Sequence, residues 1–113
     1  MPEIGLFEAI YTQRALRRLK PDPVPDDLIH KVIEAATKAP SGSNAQDWHF
    51  LVIRDPDTKK KIAQFYKKAW DANFGTRPAQ PEHLSSRVRS SAQYLAEHMA
   101  DVPVLILVCV QHH

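Results

Sequence analysis

Apolar positions along the chain follow two different periods, and each change of period marks an element boundary. Ile4, Phe7, Ile10 and Tyr11 recur at helical spacing and predict a helix over residues 3–12. Leu28, Ile29, Val32, Ile33 and Ala36 form a second stripe, with Lys31, Glu34 and Lys38 opposite, and predict a helix over 25–38. Its start is set by Pro25 in the first turn and by Asp26 and Asp27 at the positive end of the helix dipole. Ile62, Phe65, Tyr66 and Trp70 fall near one face of a helix over 58–72, entered through a turn with Asp57 or Thr58 as N-cap. Val88, Ala92, Leu95 and Met99 line a further helix over 85–99.

Two runs lose the helical period. His49, Phe50, Leu51, Val52 and Ile53 are nearly continuous strand formers and predict a strand buried on both faces. The run 101–110 is the strongest strand signal and reads as a central, doubly buried strand, with Pro103 tolerated at its start. Between the elements, Pro21, Pro23 and Pro25 impose an extended path, and 73–84 reads as a polar loop. The whole, 1–113, is one domain. No helix follows the last strand, so so small a sheet would leave an apolar face bare; a second subunit or a missing C-terminal part is expected to cover it.

Composition narrows the chemistry by exclusion. With 43% hydrophobic and 25% charged residues the chain is globular, and a net charge of +2 is too small to argue for nucleic acid. The lysine triplet Lys59, Lys60 and Lys61 reads as a solvated helix start. Cys109 is the sole cysteine, so no internal disulfide forms, and its apolar setting makes it a small buried hydrophobe. No signal peptide is visible and the longest apolar run is too short to span a bilayer, so the expected location is cytoplasmic, with no membrane partner. Rossmann, P-loop, zinc and nucleophile-elbow patterns are absent, and His30, His83 and His98 stand alone. No metal site and no catalytic side chain is expected.

Two features remain. Arg14, Arg17 and Arg18 cluster before the proline segment; guanidinium forks match phosphate oxygens, although a surface ion-pair network is the competing reading. Between the second helix and the first strand lies Pro40, Ser41, Gly42, Ser43, Asn44 and Gln46, a run of neutral donors and acceptors beside a glycine. Pro40 ends the helix, and Gly42 lets the backbone turn or approach a ligand. A phosphate site joined to a loop suited to the edge of a heterocycle points to a mononucleotide-type cofactor; an ordinary polar connection is the alternative.

The residues 12–19 (Thr-Gln-Arg-Ala-Leu-Arg-Arg-Leu), the Pro21-Asp22-Pro23-Val24 segment, a helix with Glu34-Ala35-Ala36 and the Ala39-Pro40-Ser41-Gly42-Ser43-Asn44-Ala45-Gln46-Asp47-Trp48 run together resemble the nitroreductase family. The resemblance covers roughly residues 6–110. It implies an α+β fold, a three-layer α/β/α sandwich of which this is the N-terminal half with an incompletely covered sheet. It further implies a homodimer with FMN at the interface, and NAD(P)H as the source of electrons for a nitroaromatic, quinone or similar small acceptor. Arg14 and Arg17 would contact the cofactor from the first element; Pro40, Ser41, Gly42 and Asn44 match positions that touch FMN, commonly from the partner subunit. Gln46 and Trp48 would brace the loop against the strand. Gln13, Ala15 and Asp47 depart from the family's frequent arginine, serine and proline. The other reading is a fragment of the flavin fold that serves only as a binding or interaction module.

Overall fold

The computed structural model describes residues 3–75 and 86–111. Helix α1 (Leu6–Thr12) is followed by the extended proline segment and helix α2 (Asp26–Ala36). A short 3₁₀ turn (Gly42–Asn44) leads into strand β1 (Trp48–Ile53), and helix α3 (Pro56–Trp70) runs on through a π-helical turn (Asp71–Gly75). Helix α4 (Ser86–His98), a 3₁₀ turn (Met99–Asp101) and strand β2 (Leu105–Val110) complete the order. Of the polar loop expected over 73–84, the first residues belong to the π-helical turn, and 76–84 lie outside the described residues, as do His83, His112 and His113.

The strands pair antiparallel, with Trp48 opposite Val110 and Ile53 opposite Leu105. Helix α3 packs on α4 and on the turn that follows it, while β2 has its main contact with β1. Among the described residues the buried apolar side chains are Ile29, Ala96 and Val102, a thin core. The radius of gyration, 16.8 Å, agrees with that; a compact domain of 100 residues has about 13 Å.

The strands depart from expectation. Neither is doubly buried: Leu51 and Val52 are 52% and 43% exposed, and Val108 and Val110 61% and 69%. A two-stranded ribbon has no neighbour for either strand's outer edge and no layer to cover both faces. Their β-branched content still selects extended backbone, because that preference is local. Strand β2 begins at Leu105, later than expected, since the Val102 N–H donates to Met99 O in the preceding turn and Pro103 cannot donate to the ladder.

Three smaller differences have local causes. Asp55, not Asp57 or Thr58, caps α3: Pro56 occupies the first turn, and the Asp55 carboxylate accepts from the Thr58 N–H at 2.9 Å and the Thr58 hydroxyl at 2.7 Å. Lys59 is buried rather than solvated, its Nζ donating to the Val102 carbonyl at 2.7 Å. In α4 the most buried position is Ala96, which the apolar stripe passed over because a small residue carries little hydrophobic weight. His98 is half-buried, stacked on Tyr94 with ring centroids 4.0 Å apart.

Candidate functional site

The chain path after α1 determines where the arginines gather. Gln13 leaves helical geometry (φ −62°, ψ 141°), and the segment that follows, without regular secondary structure, reaches the N-terminal half of α4. There Arg17 Nη1 donates to Ser91 Oγ at 3.2 Å and Arg18 Nη2 to Ser90 Oγ at 3.3 Å. The Arg18 guanidinium also lies 4.4 Å from the centroid of the Tyr94 ring, a cation–π contact that holds its plane. Arg14 turns back on its own segment, Nη1 donating to Gln13 O at 2.7 Å. Arg14, Arg17, Arg18, Arg87, Ser90 and Ser91 line one cleft of ≈ 640 Å³.

Among the described residues no carboxylate forms an ion pair with Arg14, Arg17, Arg18 or Arg87. Among the described residues the ion-pair reading of these arginines thus finds no carboxylate partner, and the cleft gathers four guanidinium groups lined by hydroxyls. Like charges brought together without counter-charges repel, so an arrangement of this kind favours an anion. Arg87, Ser90 and Ser91 were not singled out from the sequence. The apolar stripe of their helix does not include them; their signal lies on its polar side, in Arg87, Arg89, Ser90 and Ser91 at its start.

The Ser/Asn/Gln loop is built differently. Three non-glycine residues occupy the left-handed region: Ser43 (φ 51°), Asn44 (φ 54°) and Gln46 (φ 50°). The turn is made by these residues and not by Gly42, whose φ is negative. Open space surrounds Gly42: a Cβ placed there would meet nothing within 4 Å. Beside its backbone turns, side-chain hydrogen bonds brace the loop, the Gln46 N–H donating to Ser41 Oγ at 3.0 Å and Gln46 Nε2 donating to Asn44 Oδ1 at 2.8 Å. Gln46 thus braces the loop within itself rather than against the strand, while Trp48 pairs across the sheet with Val110. Strained backbone of this sort costs on the order of 1–3 kcal/mol per residue and persists where the surroundings impose it, often at ligand sites.

Pro40, Ser41, Gly42 and Asn44 do not line the arginine cleft. Arg14 and Arg17 are brought together with Arg18 and Arg87, and the loop stands apart. As a test of fit for FMN, the unpaired guanidinium groups suit a phosphate, and the clear approach to Gly42 suits a flat ring. A group of three or more metal-ligating side chains does not occur among the described residues. No helix among them is long and apolar enough to cross a membrane.

Comparison with known proteins agrees with this reading at the level of family and fold. The sequence pattern of the nitroreductase family matches residues 10–113. Iodotyrosine deiodinase 1 of Rattus norvegicus is 32% identical over 107 residues, 95% of this chain and 37% of the relative. A crystal structure of oxidized iodotyrosine deiodinase bound to FMN and 3-iodo-L-tyrosine superposes with a TM-score of 0.73 at 22% identity, covering 92% of this chain and 55% of that one. The FMN-dependent nitroreductase NfnB from Mycobacterium smegmatis, in complex with NADPH, gives a TM-score of 0.57 at 22% identity over 92% of this chain and 59% of that one. The chain thus spans little more than a third of the length of the deiodinase relative.

Proposed function

Because the chain belongs to the nitroreductase family, we propose that it contributes the N-terminal part of an FMN-dependent oxidoreductase that passes electrons from NAD(P)H to a small organic acceptor. The observation that carries this reading is the cleft in which Arg14 and Arg17 stand without a carboxylate partner among the described residues. FMN, when bound, supplies the redox chemistry. The chain's own residues have the simpler tasks of binding and orientation. Arg14 and Arg17 neutralise the cofactor's phosphate, and the Arg17–Ser91 bond fixes one guanidinium against α4. Ser41, Gly42 and Asn44, with Pro40 setting the loop's entry, present hydroxyl, amide and backbone groups to the ring.

The separation of loop and cleft favours a homodimer with FMN at the interface, in which the loop serves the cofactor held mainly by the partner. The acceptor is a nitroaromatic, a quinone or a similar molecule. Likeness to the deiodinases favours a second reading, reductive removal of halogen from an aromatic ring. Assay of the two acceptor classes side by side separates them.

The test of cofactor binding is direct. Purified protein should keep flavin absorbance through desalting, and replacing both Arg14 and Arg17 with Ala should weaken FMN binding on the order of a hundredfold or more. A colourless protein that ignores added FMN would leave only the binding-module reading. Unchanged affinity in the double variant would reject the role given to the two arginines.

A further inference from the structure

The cleft holds more positive charge than one cofactor phosphate can balance. A phosphate monoester carries about −1.5 to −2 at neutral pH. Arg14 and Arg17 match that, which leaves Arg18 and Arg87 on the same cleft without a counter-charge among the described residues. Hydrogen bonding separates the two pairs of groups further. Ser91 has its proton committed to Val88 O at 3.0 Å while it accepts from Arg17, so it acts as a fastener for that arginine. Ser90 accepts from Arg18, and its own proton goes to no partner among the described residues. Arg87 makes no hydrogen bond or ion pair among them. Arg18 is held by Ser90 on one side and the Tyr94 ring beneath it, yet keeps other N–H groups to offer.

We infer that Arg18, Arg87 and the Ser90 hydroxyl form a second anion subsite, beside the Arg14–Arg17 pair, that takes a phosphate, borne by a nucleotide co-reactant or free in solution. This inference rests on the proposed function for the assignment of Arg14 and Arg17 to the cofactor. A planar guanidinium already held in place loses little freedom on binding a tetrahedral oxyanion, and a hydroxyl adds a directed donor. The position near the N-terminal end of the 13-residue helix α4 adds favourable potential to the same site.

Calorimetric titration of the flavin-loaded protein at low salt decides the matter, with inorganic phosphate, adenosine 2′-monophosphate and unphosphorylated adenosine as probes. Both phosphate probes should bind saturably and adenosine should not. Tighter binding of the nucleotide identifies a nucleotide as the source, and equal or weaker binding identifies the free anion. Arg87→Gln and Ser90→Ala should each weaken phosphate by about tenfold or more, Arg87→Lys should recover most of the loss, and all three should retain flavin. The inference is overturned if phosphate fails to bind, if Arg87→Gln binds it as the unaltered protein does, or if Arg87→Gln sheds flavin as readily as Arg14→Gln. Should the protein hold no flavin, the function reading fails by itself. The same titration of the flavin-free protein, with the same variants and outcomes, then decides the subsite.

Discussion

Asp55 governs the start of α3 through two hydrogen bonds to one residue. The Thr58 hydroxyl first, and then the Thr58 backbone N–H, hold its carboxyl below the ordinary value of 3.8; the Lys61 and Lys59 charges act in the same direction, against a small cost of burial. A folded-state value below the unfolded one means that the anion is favoured by folding. Its contribution is complete above 3.8 and is lost as pH falls through the lowered folded value. As pH falls below 3.8 and through the lowered folded value, the protein should therefore lose more helix stability than an Asp55→Asn variant, as followed by circular dichroism during denaturation. Parallel pH profiles for the two proteins would show that the cap is not coupled to folding. The turn was readable from Asp55 and Pro56, but the capping residue depended on which side chain faced the free N–H groups. Lys59 shows the reverse limit: three adjacent lysines look alike in sequence, and only the approach of Val102 O selects one for burial.

At the scale of elements, the loop between α2 and β1 concentrates strain where the sequence offered a glycine to relieve it. Ser43, Asn44 and Gln46 adopt positive φ while Gly42 does not. Left-handed backbone costs an ordinary side chain roughly 1–2 kcal/mol. Ser43→Gly should leave the thermal midpoint the same or slightly higher, whereas Ser43→Val should lower stability by about 1–2 kcal/mol, since a β-branched residue tolerates that region poorly. If Ser43→Val melts with the unaltered protein, the loop does not keep this backbone in solution. The helices themselves were legible because each apolar stripe is a local pattern: α2, α3 and α4 fall within a few residues of their expected spans. The pairing of Arg17 with Ser91 and Arg18 with Ser90, 74 and 72 residues apart, was not, because nothing local records a contact over that distance.

For the whole molecule, the sheet is the decisive feature. Trp48, Phe50, Val52, Ile106, Val108 and Val110 share one face through the strand register, and Leu51 and Leu107 stand exposed on the other. Apolar surface of this kind on both sides of a two-stranded ribbon is unfavourable in water and seeks a partner surface. The 113-residue chain should bind a hydrophobic dye and self-associate in sedimentation, and Val52→Lys with Val108→Lys should reduce both. A monomer that takes up no dye would mean that these faces are covered in a way the fold does not show. By itself the sequence determined the helices, the strand segments, the family and the two candidate binding segments, since each rests on spacing and side-chain chemistry within a short window. Tertiary structure alone decided that the strands are bare, that α4 supplies Arg87, Ser90 and Ser91 to the arginine cleft, and that the loop lies outside it. Burial and charge balance are sums over neighbours from distant parts of the chain, and no local pattern contains them.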